Sequence, residues 1–376
     1  MTHLTDIKTK DRQLIERLEK AENEVVLSAK DITFLLGLKK QSQRELLFQT
    51  ARKLRHRYFG NNIFLYGFIY MSTFCKNDCF FCYYRKSNTI GRRYRKTGRE
   101  ILSTAEKMAE TGVHLIDLTM GEDPLLSKNG DIPGHRLCNI VKTVADRTGL
   151  PIMLSPGLIP ANLLSDLKAC GTTWYACYQE THNSRLFKTL RPHQNFNNRL
   201  EIKSEAHKQG LLIEDGILCG VGEDPADIAC SIEVMKALDA DQVRVMKFIP
   251  QKGTPMENRP SPDPRLDNLV IGILRLVFPN RLIPASLDVD GIDGLKNRLD
   301  AGANVVTSIV LPGQGLSGVA RHSLDIEDGN RTSQAVLRTL NQWGLELASR
   351  DDYNRFIMQR QEAILHPVSD RSDMCD

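Results

Sequence analysis

The chain has 376 residues, 41% of them hydrophobic, so it is long and apolar enough to bury a sizeable core, which excludes disorder as the main state. Fifty Lys and Arg against 46 Asp and Glu leave a formal charge of +4, too small at this length for a general nucleic-acid or membrane-surface binder. The longest strongly apolar run, Ile63 to Met71, has nine residues and contains Gly67, about half of a bilayer span. The charged opening from Met1 to Lys8 lacks the apolar stretch of a secretory signal, so a cytoplasmic location is expected.

The first sixty residues read as helical and charged. Leu14, Ile15 and Leu18 form one stripe, and a capping box at Ser42-Gln43-Arg44-Glu45 is expected to open a helix carrying Leu46, Leu47, Ala51 and Leu54 that stops at Gly60. From Asn62 the pattern changes to short β-branched or aromatic runs alternating with helical stretches. Strands are expected at 63–72, 114–120, 152–155, 174–179, 211–219, 242–248, 282–287 and 304–310. Between them, Thr97 to Thr111 reads as a helix with a Thr97/Glu100 capping box, and Asp224-Pro225 opens another by cap and N1 proline. Leu266, Leu269, Val270, Ile273, Leu274 and Val277 form the buried stripe of a third.

Eight βα units predict an α/β fold, a (β/α)8 TIM-type barrel with an N-terminal helical extension and an active site at the C-terminal ends of the strands. A doubly wound sheet competes, but no dinucleotide fingerprint follows the first strand. The expected organisation is an extension over 1–60, the barrel over 61–315, a C-terminal helical segment over 316–363 and a poorly ordered tail over 364–376.

Nine cysteines occur, at positions 75, 79, 82, 138, 170, 177, 219, 230 and 375, an odd set without the spacing of a disulfide framework. Cys75, Cys79 and Cys82 form a CxxxCxxC cluster in the loop after the first strand, and three thiolates on one tight loop can ligate a soft metal. Structural zinc wants a fourth ligand at short spacing, whereas the next cysteine, Cys138, is 56 residues away. A 4Fe-4S cluster on three thiolates leaves one iron open to a small molecule.

This motif, with Phe81 before its last cysteine and a barrel strand before it, resembles the radical S-adenosylmethionine (radical SAM) enzymes. The resemblance implies a 4Fe-4S cluster on Cys75, Cys79 and Cys82 whose open iron chelates S-adenosyl-L-methionine (SAM). One-electron reduction, from a donor of the flavodoxin or ferredoxin type, then yields a 5′-deoxyadenosyl radical. Met120-Gly121-Glu122-Asp123-Pro124 resembles the family's glycine-glutamate motif for the SAM amino group. Glu180 and Arg199 match SAM contacts of the biotin-synthase and hydrogenase-maturase branch, with Arg199 set to grip the methionine carboxylate. Gly216 to Glu223 resembles the fifth-strand GxIxGxxE and brings in Gly220, with Leu218 where Ile is usual. Singly, each of these is as readily a salt bridge or a turn.

Four further stretches are more specific: Tyr58-Phe59-Gly60-Asn61, His114 to Pro124, Val243 to Phe248 and Arg281 to Asp288. They are similar to the 3-methylornithine synthase family of pyrrolysine biosynthesis, from about Leu46 to Pro312. That resemblance implies an isomerase, a radical mutase converting L-lysine to (3R)-3-methyl-D-ornithine by breaking and re-forming a Cα–Cβ bond. It also implies substrate contacts at Asp117, Arg244, Ser286 and Asp288, whose charges suit one carboxylate and two ammonium groups. A structural ion pair between Asp117 and Arg244 is the plainer alternative.

Biotin-synthase-like sulfur insertion, the runner-up, would need several inward-facing cysteines, yet Cys177 has the opposite strand parity to Glu180 and Cys219 stands alone. Maturase chemistry shares the SAM residues. A reading from another class is a zinc-held nucleic-acid module with basic contacts at 92–96 and 52–57, though both runs read more simply as solvated faces. Packing or surface roles are expected for His114 and His182. No nucleic-acid or membrane partner is expected.

Overall fold

The computed structural model describes residues 2–127, 135–314 and 330–366. Helices α1 (Thr2–Glu22), α2 (Ala29–Leu36) and α3 (Gln41–Phe59) lead to β1 (Asn62–Ser72), α4 (Gly98–Ala109), β2 (Leu115–Met120), a single turn α5 (Pro124–Ser127) and α6 (His135–Thr148). Then come β3 (Ile152–Ser155), α7 (Leu163–Ala169), β4 (Thr172–Ala176), α8 (Ser184–Leu190), α9 (Phe196–Lys208), β5 (Leu212–Cys219) and α10 (Pro225–Ala237). β6 (Gln242–Lys247), α11 (Leu266–Val277), β7 (Pro284–Ser286), α12 (Leu295–Asp300) and β8 (Val305–Ile309) complete the repeat, followed by α13 (Ser333–Gln342), β9 (Glu346–Leu347) and α14 (Arg350–Leu365).

All eight predicted strands form, and their neighbours pair in parallel in the order β6-β5-β4-β3-β2-β1-β8-β7. The ends of that path meet through one bridge, Gln242 to Leu282, where Val243 donates to the Leu282 carbonyl at 3.0 Å and Leu282 to the Asp241 carbonyl at 3.1 Å. The sheet is therefore a nearly closed (β/α)8 barrel, closed through two hydrogen bonds between β6 and the run into β7. Parity along β4 divides the cores: Trp174 and Ala176 point into the barrel lumen, Tyr175 and Cys177 into the apolar layer beneath the helices. Cys219 lies in that outer layer too.

Leu14, Leu18, Leu47, Ala51 and Leu54 belong to the same continuous apolar cluster as the outer layer of the barrel. Ile15 and Leu46, placed on the buried stripes by periodicity, are 49% and 43% exposed. The expected cap at Ser42 does not form. Helix α3 starts at Gln41 behind Lys40 without a side-chain cap, because partners outside the helix fix its first turn: Gln43 donates to Asp11 at 2.7 Å and Arg44 to the Leu38 carbonyl at 2.9 Å. The Thr97/Glu100 and Asp224/Asp227 boxes do form.

The amino-terminal mouth of the barrel is stoppered by α14. Tyr353, Phe356 and Ile357 join the lumen cluster, and the Tyr353 hydroxyl donates to that of Tyr66 at 2.7 Å. His114 bridges the same end, its Nδ1 accepting from the Leu65 amide at 2.9 Å and its Nε2 meeting the Ala348 carbonyl at 2.9 Å. Short β9, which pairs with the start of β1, carries the chain across that mouth. The expected tail begins at 364, but α14 runs to Leu365, and residues 315–329 and 367–376 lie outside the described ones. Among the described residues no helix is long and apolar enough to cross a membrane.

Candidate active site

With one mouth stoppered, the lumen opens at the C-terminal ends of the strands, into a cavity of about 210 Å³. Cys75, Cys79, Cys82 and Phe81 from the loop after β1 line it, together with Gly121, Glu122, Glu180, Arg199, Asp117, Arg244 and Asp288. Two predicted site residues do not. Ser286 stands behind Asp288, and Gly220 lies at the outer end of β5, where its amide donates to Glu223 at 2.6 Å and its carbonyl accepts from Arg259 at 3.0 Å.

The loop carrying the cysteines is held by arginines. Arg93 donates to the carbonyls of Thr73, Tyr84, Arg85 and Asn88, and Arg95 grips Asp123 through two bonds of 2.6 and 3.0 Å. In the other basic run, Arg55 is buried and donates to the Leu299 carbonyl at 2.6 Å, and Arg52 donates to that of Asp300 at 2.9 Å. These parts of both runs pin backbone together instead of forming the solvated faces expected of them.

Burial pushes the Cys75 thiol up to about 11, and Cys82 is raised further by burial and by Cys79 and Cys75 beside it, so these two thiols resist ionisation when bare. Cationic iron removes that cost, because it takes its ligands as thiolates. Among the described residues no three Cys, His, Asp or Glu side chains gather closely enough for a single metal ion. A four-iron cluster spreads its thiolates over different irons. Two donors, Gln194 Nε2 at 3.1 Å and Arg191 Nη1 at 3.5 Å, point at Cys79 Sγ. Gly121 provides the cradle, since a Cβ there would collide with the Phe74 carbonyl oxygen. The donor set fits a cluster.

Around it the acids are matched by arginines. Glu122 accepts from Arg199 at 2.7 Å, from Lys76 at 3.3 Å and from the Leu158 amide at 3.0 Å; burial raises its pKa, but Arg199 and the other donors outweigh that and hold it low. Glu180 accepts from Arg191 at 3.0 Å and sits just past β4 in the left-handed region, with φ of 68°. Such a backbone in a non-glycine residue persists only where neighbours enforce it, here β5, which bonds both its amide and its carbonyl.

Deeper in the barrel the donors come from separate strands. Arg244 on β6 gives Nε to Glu214 on β5 at 2.6 Å and Nη1 to Thr307 at 3.1 Å, while Tyr178 donates to Glu214 at 2.8 Å. The ion partner of Arg244 is thus Glu214, not Asp117. Asp288 accepts from Arg331 at 2.7 Å, Tyr70 at 3.0 Å, Ser308 at 2.7 Å and Ser286 at 3.1 Å, which fills its four acceptor positions. Asp117 is fully buried and has one side-chain partner, Ser155 Oγ at 2.8 Å; burial above all pushes its carboxyl up to about 8. Among the described residues lining the cavity, the buried side-chain atoms without a partner are Asp117 Oδ2, Arg244 Nη2 and Arg191 Nε.

Sequence reasoning did not single out Glu214, Arg331, Arg191, Gln194 or Tyr70. Glu214 and Asp215 side by side in an apolar strand were a usable signal, one facing the lumen and the other bonded outward to Lys203 at 2.5 Å. For Arg331 there was none.

A barrel that seats three loop thiols, arginines and acids in one cavity at its C-terminal mouth has the architecture of a radical SAM enzyme, and residues 69–234 match the model of the radical SAM superfamily. The chain is 44% identical to the 3-methylornithine synthase of Methanosarcina barkeri over 327 residues, 87% of this chain and 92% of that one. It is 30% identical to the FeFe-hydrogenase maturase subunit HydE of Thermotoga maritima over 78% of this chain and 82% of that one. A crystal structure of methylornithine synthase superposes with a TM-score of 0.84 at 42% identity, covering 90% of this chain and 99% of that one. The chain belongs to the 3-methylornithine synthase family. Its cofactors are those of the superfamily, a 4Fe-4S cluster and SAM.

Proposed function

We propose that this chain isomerises L-lysine to (3R)-3-methyl-D-ornithine for pyrrolysine biosynthesis. The observation that carries this reading is the pair of unsatisfied atoms in the deep cavity, Asp117 Oδ2 and Arg244 Nη2. One belongs to a carboxyl that is an anionic acceptor once ionised and the other is a cationic donor, the complement of an ammonium and a carboxylate. Asp288, saturated by its own donors, acts on the second ammonium as a fixed negative charge, and Ser286 positions Asp288.

Cys75, Cys79 and Cys82 hold the cluster, Phe81 packs under Arg191, and Gly121, Glu122, Glu180 and Arg199 border the SAM pocket, while Gly220 shapes the turn after β5. When bound, cluster and SAM supply a 5′-deoxyadenosyl radical able to take hydrogen from an unactivated carbon. The chain's part is to keep both fragments of the broken Cα–Cβ bond in register and away from water, for which the stopper of Tyr353, Phe356 and Ile357 serves. Reductive SAM cleavage requires a low-potential one-electron donor of the flavodoxin or ferredoxin class. Such donors and free lysine are cytoplasmic, which supports a cytoplasmic location for the enzyme.

The test is anaerobic incubation of reconstituted enzyme with reductant, SAM and isotopically labelled L-lysine, followed by chromatographic separation of the amino acids, because product and substrate share one mass. A new labelled methyl-branched isomer is expected. Formation of 5′-deoxyadenosine with lysine returned unchanged would defeat the substrate assignment and favour maturase or sulfur-insertion chemistry.

A further inference from the structure

The lumen carries more acid than base. Glu214 is matched by Arg244 and Asp288 by Arg331, each pair within 2.7 Å, and both pairs are almost wholly buried. Asp117 has no cation of its own. One hydrogen bond from Ser155 and one bare oxygen are too little to hold a carboxylate ionised away from water, where an uncompensated charge costs several kcal/mol and the group takes up a proton instead.

Every element packed around Asp117 leaves that imbalance in place. Strand β1 offers Phe68 and Tyr70, β3 offers the Ser155 hydroxyl, and the chain beyond β4 offers Tyr178. Glu214 on β5 and Asp288 beyond β7 disfavour ionisation, and Arg244 on β6, already committed to Glu214, favours it. We infer that Asp117 is protonated in the empty site and surrenders its proton when a ligand ammonium docks, so the lumen selects for a ligand of net charge +1 and uptake of that ligand releases a proton.

This depends on lysine being the ligand, and deepens that reading by a count of charges. With Asp117 ionised the lumen totals −1, which lysine with two ammonium groups and one carboxylate neutralises. An ordinary amino acid with an uncharged side chain leaves the charge buried. The Asp117 carboxyl, pushed up to about 8, makes roughly nine-tenths of empty sites protonated at pH 7.

The experiment is anaerobic titration calorimetry of L-lysine into the cluster- and SAM-loaded enzyme without reductant, at pH 7 in phosphate and in Tris, whose different ionisation heats report protons released. Close to one proton released per lysine is expected, with affinity about fivefold tighter at pH 8 than at pH 7. Asp117→Asn, checked for cluster iron and SAM binding, should bind more weakly, release no proton and lose the pH dependence. Norleucine, which lacks the side-chain ammonium, should bind at least tenfold more weakly than lysine. Lysine binding without proton release, or a pH dependence that survives in Asp117→Asn, overturns the inference while leaving lysine as substrate. Lysine that neither binds nor turns over removes the substrate reading and this inference together.

Discussion

The two ends of the cavity are built on opposite plans. The cluster end is contiguous: three cysteines within eight residues, a loop tied down by Arg93 and Arg95, and acids matched by arginines. The substrate end is dispersed, with one polar side chain from each of several strands and ion partners separated by 30 residues for Glu214 with Arg244 and 43 for Asp288 with Arg331. The first leaves a single donor bare, Arg191 Nε, and otherwise needs only its cofactors. The second leaves a donor and an acceptor bare, and a substrate must complete it.

Substitutions at the two ends should therefore fail differently. The largest effect belongs to Cys79→Ala, which removes a cluster ligand together with the acceptor of Arg191 and Gln194. Iron binding and all SAM cleavage should be lost, read by iron and sulfide analysis and by 5′-deoxyadenosine formation, and retained cleavage would break the assignment of the cluster end. Arg331→Met comes next. It strands the buried Asp288 carboxylate, at a cost of about 3–5 kcal/mol in the substrate site. SAM should still be cleaved, whereas kcat/KM for lysine should fall a hundredfold or more, and a parallel loss of both would show the two ends to be one unit.

The fold and the cluster end were legible because their signals are local. Short β-branched or aromatic runs between helical stretches marked all eight strands, and the spacing of Cys75, Cys79 and Cys82 with Phe81 marked the cofactor loop. The Thr97 and Asp224 caps were legible for the same reason, since a cap needs only the next turn. Ser42 misled because partners in α1 and in the loop after α2 decide where α3 begins. Arg331 carries no local signal at all, as its value lies wholly in meeting Asp288 and Tyr70 across the barrel mouth. Arg244 was found but its partner Glu214 was not, and the alternative pairing with Asp117 does not form, since parity places Asp117 and Glu214 on the same lumen face and only the register of β5 against β6 brings Glu214 beside it.

The imbalance at Asp117 should also appear as a stability effect. Its pKa rises from the ordinary carboxyl range in the unfolded chain to about 8 in the folded one, so the folded state holds a proton that the unfolded chain gives up. That costs nothing below about pH 4 and grows with pH until it levels off above about 8. Asp117→Asn should accordingly raise the unfolding midpoint of the substrate-free enzyme, by a margin that widens between pH 5 and pH 8 and amounts to about 2 kcal/mol or more at the upper end. Thermal scans of the loaded enzyme at those pH values measure it. An unchanged midpoint would mean that the carboxylate is compensated in the empty site.

Ser286→Ala should have the smallest effect and sharpens the comparison most. Its hydroxyl donates to Asp288 at 3.1 Å, meets Ser308 at 3.2 Å and accepts from the Asp288 amide at 3.3 Å, and it lies behind the cavity wall. After its removal Asp288 keeps Arg331, Tyr70 and Ser308, so the carboxylate stays charged and in place, and the loss is one of its four hydrogen bonds, about 1.5 kcal/mol for a bond to a charged group. A roughly tenfold fall in kcat/KM for lysine is expected, with SAM cleavage unaffected. A hundredfold fall would mean that Ser286 reaches the substrate directly, as the family resemblance implied, and that the wall at β7 opens when lysine binds. The substrate end would then be assembled by its ligand, whereas the cluster end is set before either cofactor arrives.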